Sequence, residues 1–368
     1  MNRRDFICST GALVSLAGAN SPAAVEPAGT RKRARMKLGC QSAPSNDKHL
    51  QFFARHGVRN ICGIPDEAKE RGYPTVEELE QLKERAAKWG IEVDMLTPSF
   101  LASSHIDRTA HPAILLGESP ERDRDIERFQ NLIRNCGKAG IPSIKYNMSI
   151  LGVLRIGRTP GRGGSTYSTW RLAQATPRTP LTRAGQVTAD LYWERITYFL
   201  DRVVPVANEC KVRLACHPHD PGVPPITGYQ GVDAVLGTVD GLKKFVSIQE
   251  SPYHGLNFCQ GTVSEMLQDP GKEIFDVIRY FGARKKIFNV HFRNIRGHRD
   301  DFVEVYPDEG DVDFFKAMMV YKEVDYPYMM MPDHVPQHPD DPGGSQAFAF
   351  SYGYIRALIQ AVDGMDGN

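Results

Sequence analysis

The chain contains no apolar stretch approaching the ~20 residues that a membrane-crossing helix requires. It has no surplus of either charge: 45 Lys+Arg stand against 44 Asp+Glu, for a formal net charge of +1. Nucleic-acid binders ordinarily carry a basic excess, so that class is disfavoured. Seven cysteines are scattered without regular spacing, which argues against a disulfide framework. No internal repeat, low-complexity tract or linker cuts the chain after its N-terminal segment. What is present is ordinary for a globular protein: 368 residues, 41% hydrophobic and 24% charged. That length suits one large α/β domain or two average ones. These bounds point to a soluble enzyme or small-molecule binder.

Residues 1–35 read as an export signal and linker rather than as part of the fold. MNRRDF supplies a basic start, residues 7–19 a mildly apolar run, and Pro- and Ala-rich sequence follows. Adjacent Arg3 and Arg4, with Phe6 close behind, match a twin-arginine signal, and Ala17-Gly18-Ala19 offers a small-residue cleavage site. The expectation is a protein exported to the periplasm or a comparable compartment, with no membrane association once the signal is removed. Residues 36–368 are expected to form a single catalytic domain.

From residue 36 onward, strand and helix patterns alternate. Strand-like runs occupy 36–41, 58–63, 91–97, 141–147, 212–217, 256–259, 287–294 and 326–333. Several are continuously apolar, as strands buried on both faces of a parallel sheet should be. Helical patterns fill 76–89, 121–139, 188–209, 269–281, 313–323 and 347–362. In the first, Val76, Leu79, Leu82, Ala86 and Trp89 recur at helical spacing and mark one buried stripe. Eight strands joined by helices predict a closed (β/α)8 TIM barrel, because right-handed crossovers wind parallel strands into that shape. An open doubly wound sheet is the rival. Two connections, 151–186 and 218–233, are too long for simple turns. Each follows a strand's C-terminal end, and their Gly- and Pro-rich polarity predicts a substrate cover rather than a second domain.

The chemistry-bearing residues stand where apolar runs give way to polar ones. The fifth strand ends in Cys216-His217-Pro218-His219-Asp220 and the sixth in Phe258-Cys259-Gln260-Gly261-Thr262. The seventh carries His291-Phe292-Arg293-Asn294, and the eighth runs into Pro332-Asp333-His334. On a barrel these ends are neighbours on one rim, so His217, Cys259, His291 and Asp333 converge as an N2SO donor set. That mixture suits Mn2+, Fe2+, Co2+ or Zn2+ rather than Mg2+ or Ca2+. Taken singly, each residue has a blander role: a hydrogen-bonded histidine, a small core cysteine, a helix-capping aspartate. The blander role is assigned to Cys62, Cys136, Cys210 and Cys216. Four competent residues on four successive strand ends favour the site.

The HPHDP, FCQGT, HFRN and PDH segments, in this order and spacing, resemble the mannonate dehydratase family, a xylose-isomerase-like barrel group. Tyr146-Asn147, Arg158-Thr159 and Gly310-Asp311-Val312-Asp313 match as well, and the resemblance spans 36–362. It implies Mn2+ held by His217, Cys259, His291 and Asp333, with His334 and Tyr354 sharing the catalytic acid and base roles in either order. It further implies dehydration of D-mannonate to 2-dehydro-3-deoxy-D-gluconate by a homo-oligomer, expected to be a dimer. Arg158 is the candidate for the substrate carboxylate, Asn147 and Asn294 are candidates for its hydroxyls, and His219 is a further candidate for substrate binding. Two positions depart from the family pattern: Met331 stands where an Arg is common, and Val303 where a His is common. A metal-dependent sugar isomerase or epimerase on the same barrel therefore stays open, as does a non-catalytic carbohydrate-binding protein.

Overall fold

Among the described residues, twelve strands divide between a closed barrel and a smaller accessory sheet. They are β1 (Lys37–Gln41), β2 (Asn60–Gly63), β3 (Glu92–Leu96), β4 (Ser143–Asn147), β5 (Gly157–Pro160), β6 (Thr166–Arg171), β7 (Arg213–His217), β8 (His254–Cys259), β9 (Ile287–His291), β10 (Asn294–His298), β11 (Asp301–Val305) and β12 (Met329–Met331). The structure, a computed structural model, describes residues 33–41, 45–64, 71–175, 180–223 and 228–365. The expected export signal lies outside the described residues, apart from 33–35 at its end.

The barrel runs β1-β2-β3-β4-β7-β8-β9-β12 and closes where β12 pairs with β1, every pairing being parallel. It is the expected TIM barrel, with strands within a few residues of those predicted. The apolar runs explain it: β4, β8 and β9 have no exposed residue, because helices cover the outer face while the barrel interior fills the inner one.

The covering helices are α1 (Asp47–Arg55), α2 (Val76–Ala87), α3 (Ala113–Leu116), α4 (Glu121–Lys138), α5 (Ala189–Cys210), α6 (Val239–Ser247), α7 (Gln260–Ser264), α8 (Pro270–Ala283), α9 (Phe314–Glu323) and α10 (Ser345–Gly364). Helix α2 starts at a reciprocal cap: Thr75 Oγ1 accepts from Glu78 N at 3.2 Å, and Glu78 Oε2 accepts from Thr75 N at 2.6 Å. Its buried stripe is Leu79, Leu82 and Ala86, as its spacing predicts. On α4, Phe129 meets Tyr146 of β4 and Phe199 of α5 at ring-centroid distances of 5.5 and 5.2 Å. Each such pair adds about 0.5–1.5 kcal/mol beyond the area it buries. Helices α1, α3, α6 and α7 were not anticipated. Three have nine residues or fewer with only two or three apolar anchors, and α7 is a single turn cut from the FCQGT motif.

Inside the barrel a second apolar cluster gathers Cys62, Met95, Ala215, Phe288, Met329 and Met331 from five strands. Met331 is fully buried in it. Cys62, Cys136 and Cys216 are core residues, as expected, and Cys210 is half-buried.

Two expectations are corrected. The run 287–294 is not one strand: it breaks at Phe292-Arg293, ending β9 and starting β10 outside the barrel. The connection 151–186 is not simply polar cover either. Its hairpin β5–β6 joins β10–β11 in an antiparallel sheet of order β10-β11-β6-β5. Tyr167 and Trp170 on β6 are buried, which gives that sheet an apolar anchor the polar composition of the loop obscured.

Candidate active site

The four strand-end residues meet. Donor atoms of His217 (β7), Cys259 (β8), His291 (β9) and Asp333 (after β12) all lie within 4.8 Å of one another, and all but Asp333 are buried. His217 Nδ1 lies 2.6 Å from the Pro218 carbonyl, which fixes that nitrogen as the donor and leaves Nε2 with a free lone pair. Burial lowers the His217 pKa to about 4, so the imidazole is neutral, as a ligand must be. His291 Nδ1 is buried without a hydrogen bond, 3.3 Å from Asp333 Oδ1. Burial alone would raise Asp333, but His291 and His334 outweigh it and hold the carboxyl well below its usual range. Thr262, at the start of α7, turns its backbone N–H (3.4 Å) and hydroxyl (3.1 Å) to Cys259 Sγ. An orphaned buried imidazole nitrogen beside a buried thiol and a carboxylate is what a divalent cation would satisfy, so the donor set fits the expected metal.

Around this group lies a buried ionic network. Arg293, directly after the barrel portion of its strand, places Nη1 2.7 Å from Glu265 and 2.8 Å from Glu304, and Nη2 3.1 Å from Asp220. Its Nε is 3.3 Å from Asp333 Oδ2. Arg155 pairs with Asp220 at 2.7 Å and, more closely still, with Glu304. Burial, with Asp220 adding to it, pushes the Glu265 carboxyl well above its ordinary value, against the pull of Arg293 and Arg155. Burial opposes ionisation of Asp220 and Glu304 too. Arg155 and Arg293 outweigh it at Asp220, and His334 with the two arginines outweighs it at Glu304, so both are ionised. His334 Nδ1 is 2.8 Å from Glu304 Oε1. Burial works against its charge, but Asp333 and Glu304 prevail and raise it to about 10. Asp220, Glu304 and Asp333 thus face Arg155, Arg293 and His334 across the network.

A cavity of about 270 Å3 opens above the donor set, lined among others by Gln41, Lys145, Asn147, His217, Asp333 and His334. A wider cleft of about 550 Å3 shares Asp333 and His334 with it and reaches the accessory sheet at Ser168 and Glu304.

Of the residues singled out from sequence, His334 and Asn147 line the cavity with the donor set. The others lie elsewhere. His219 is buried behind it, stacked on Tyr192 with Nε2 2.9 Å from the Met148 carbonyl. Asn294 spends its amide on the loop below: Nδ2 donates to Pro307 O (3.1 Å) and Val312 O (2.9 Å), and Oδ1 accepts from Ile295 N (3.1 Å) and Val312 N (3.3 Å). Arg158 is exposed on β5 and lines neither cavity. Tyr354 on α10 stacks on Phe350 at 6.1 Å and also lines neither. The reason is periodicity: α10 turns Phe348 to the cavity, and a residue six positions on lies well round the helix from it. Lys145, Gln41, Asp220, Arg155, Arg293, Glu265 and Glu304 were not assigned roles. Only Lys145 carried a signal, as a cation inside an apolar strand, and Arg293 sat unremarked within HFRN.

A parallel eight-stranded barrel with two imidazoles, a thiol and a carboxylate at its C-terminal rim, beside a polar cavity, is a metal-competent TIM-barrel enzyme. Residues 169–368 match the family model "D-mannonate dehydratase (UxuA)", and the chain belongs to that family. It is accordingly a hydro-lyase acting on a small sugar acid. It is 29% identical over 297 residues to the mannonate dehydratase of Endomicrobium trichonymphae, covering 71% of this chain and 76% of that one. To that of Thermotoga petrophila it is 28% identical over 348 residues, covering 84% and 92%. Its fold matches the mannonate dehydratase of Streptococcus suis with a TM-score of 0.75 at 22% identity, over 89% of this chain and 94% of that one. A more distant barrel, the IOLI protein solved with a bound zinc atom, matches with a TM-score of 0.56 at 14% identity, over 90% and 100%.

Proposed function

We propose that the protein removes water from D-mannonate to give 2-dehydro-3-deoxy-D-gluconate, with Mn2+ held by His217, Cys259, His291 and Asp333. The observation that carries this reading is the convergence of those four donors within 4.8 Å beside a cavity of hexonate size, in a chain of this family. Bound there, the cation would stabilise negative charge developing on substrate oxygens. In the elimination, a general base takes the proton on the carbon next to the carboxylate, the freed electron pair forms the carbon–carbon double bond, and the bond to the neighbouring hydroxyl breaks as that group leaves as water. The enol so formed tautomerises to the 2-keto product. Hydroxide is a poor leaving group and needs a proton delivered to it. His334 supplies it: Glu304 occupies Nδ1, and Nε2, 3.9 Å from Asp333 Oδ2, is left for the transfer. Asn147 lines the same cavity and serves to orient a hydroxyl. Tyr354 and Arg158 have no part in the step from where they stand.

The proposal extends to two further points: export by the twin-arginine signature within residues 1–35, and assembly as a homodimer. A reporter fused after residue 35 and sedimentation of the mature protein test these separately.

The function itself is tested by an NMR time course of Mn2+-loaded protein with D-mannonate in deuterated water. A 2-keto-3-deoxy acid is the expected product. Deuterium entering the sugar carbon skeleton without loss of water would replace dehydration by epimerisation or isomerisation.

A further inference from the structure

Lys145 lies on β4, a strand without an exposed residue, and is itself only 6% exposed. It shares the inward face with Asn147, two positions on, and both line the 270 Å3 cavity. Its Nζ donates to Gln41 Oε1 at 2.7 Å, a neutral acceptor from the other side of the barrel. Among the described residues no carboxylate pairs with it. A buried ammonium with three donors and one neutral acceptor is electrostatically incomplete, and an anion in the cavity would complete it. The other cations nearby are committed: Arg155 and Arg293 to Asp220, Glu265 and Glu304, and His334 to Glu304. Lys145 is thus the uncommitted cation of this cavity among the described residues.

We propose that Lys145 Nζ, held in place by Gln41, is the docking group for the substrate carboxylate and selects sugar acids over neutral sugars. This rests on the dehydratase reading and gives it the anion site that Arg158, exposed on β5, does not supply. It also accounts for an apolar Met331, since the carboxylate is received from β4 rather than from β12. Charge grows on the carboxylate as the neighbouring carbon loses its proton. The ammonium therefore holds the transition state more tightly than the ground state.

The test is calorimetric binding to the Mn2+-loaded full chain, comparing D-mannonate and D-gluconate with the neutral alditols D-mannitol and D-glucitol. The unsubstituted protein should prefer the acids by roughly 10- to 100-fold, the range a charge-assisted hydrogen bond supplies. Lys145→Met should bind acids no better than alditols, with alditol affinity and metal content unchanged, and Lys145→Arg should recover part of the preference. If the Met variant does not fold, Lys145→Gln serves in its place. A preference that survives loss of the ammonium, or an unsubstituted protein with no preference, overturns the proposal. Turnover of D-mannonate is read separately. Acid preference dependent on Lys145 without mannonate turnover would refute the substrate and leave the docking role standing. Turnover with preference intact in Lys145→Met would do the reverse.

Discussion

His334 Nδ1 lies 2.8 Å from Glu304 Oε1, so the residue that follows the last barrel strand is tied to the accessory sheet. Glu304 also holds Arg293, at 2.8 Å, whose guanidinium reaches on to Asp333. The accessory sheet therefore does more than cover the barrel mouth. Through one carboxylate it fixes the orientation of the proposed acid, and through Arg293 that of a proposed metal ligand.

Glu304→Gln should slow turnover by roughly 10- to 100-fold with metal content retained, the usual cost of losing a partner that orients a site residue. It also carries a pH signature. The Glu304 carboxylate raises the His334 pKa, so its loss lowers it, and a rate that needs imidazolium should begin to fall at lower pH. A pH–rate profile with an unmoved alkaline limb would take the acid role from His334.

Cys259→Ser should lose most of its bound metal and its activity while the barrel still folds. The hydroxyl is a far weaker ligand for a borderline cation than a thiolate, and Thr262 can still donate to it. Metal analysis after gel filtration, with circular dichroism as the folding control, checks this. Full metal occupancy would remove Cys259 from the site.

Tyr354→Phe and Arg158→Ala should each leave turnover close to that of the unsubstituted protein, since neither side chain lines the cavities that hold the donor set. Steady-state kinetics decides the point. A loss of tenfold in either, about 1.4 kcal/mol in the barrier, would place that side chain back in the reaction.

The metal-free protein should be most stable near neutral pH. Asp220 and Glu304 have folded pKa values below their unfolded ones, so their contribution is complete above roughly pH 5 and is lost on acidification. His217, lowered to about 4, adds a loss as pH falls from roughly 6.5. His334, raised to about 10, works the other way: its contribution is complete below roughly pH 6.5 and is lost as pH rises toward 10. Removing one partner of such a buried network is costly, so Arg293→Met should destabilise by about 3–5 kcal/mol. Urea denaturation of both proteins at acidic, neutral and alkaline pH measures this, and a flat profile would show that the network does not ionise as described.

The barrel was legible in the chain because its cause is local. Strands buried on both faces must be continuously apolar, and helices that cover them must carry one apolar stripe, so β4 and α2 announce themselves in short windows. The four donor residues were legible for a related reason: a parallel barrel brings every strand end to one rim, so topology alone assembles His217, Cys259, His291 and Asp333. What lay beyond such rules needed the tertiary structure. The stacking of Tyr354 on Phe350, the use of Asn294 as a loop tether and the exposure of Arg158 depend on which way a helix or hairpin turns. The pairing of Arg155 and Arg293 with acids from other elements, and the absence among the described residues of such a partner for Lys145, depend on separations across the fold. A side chain's charge is written in the sequence. Whether that charge is answered is decided by distances of a few ångströms between residues far apart in the chain.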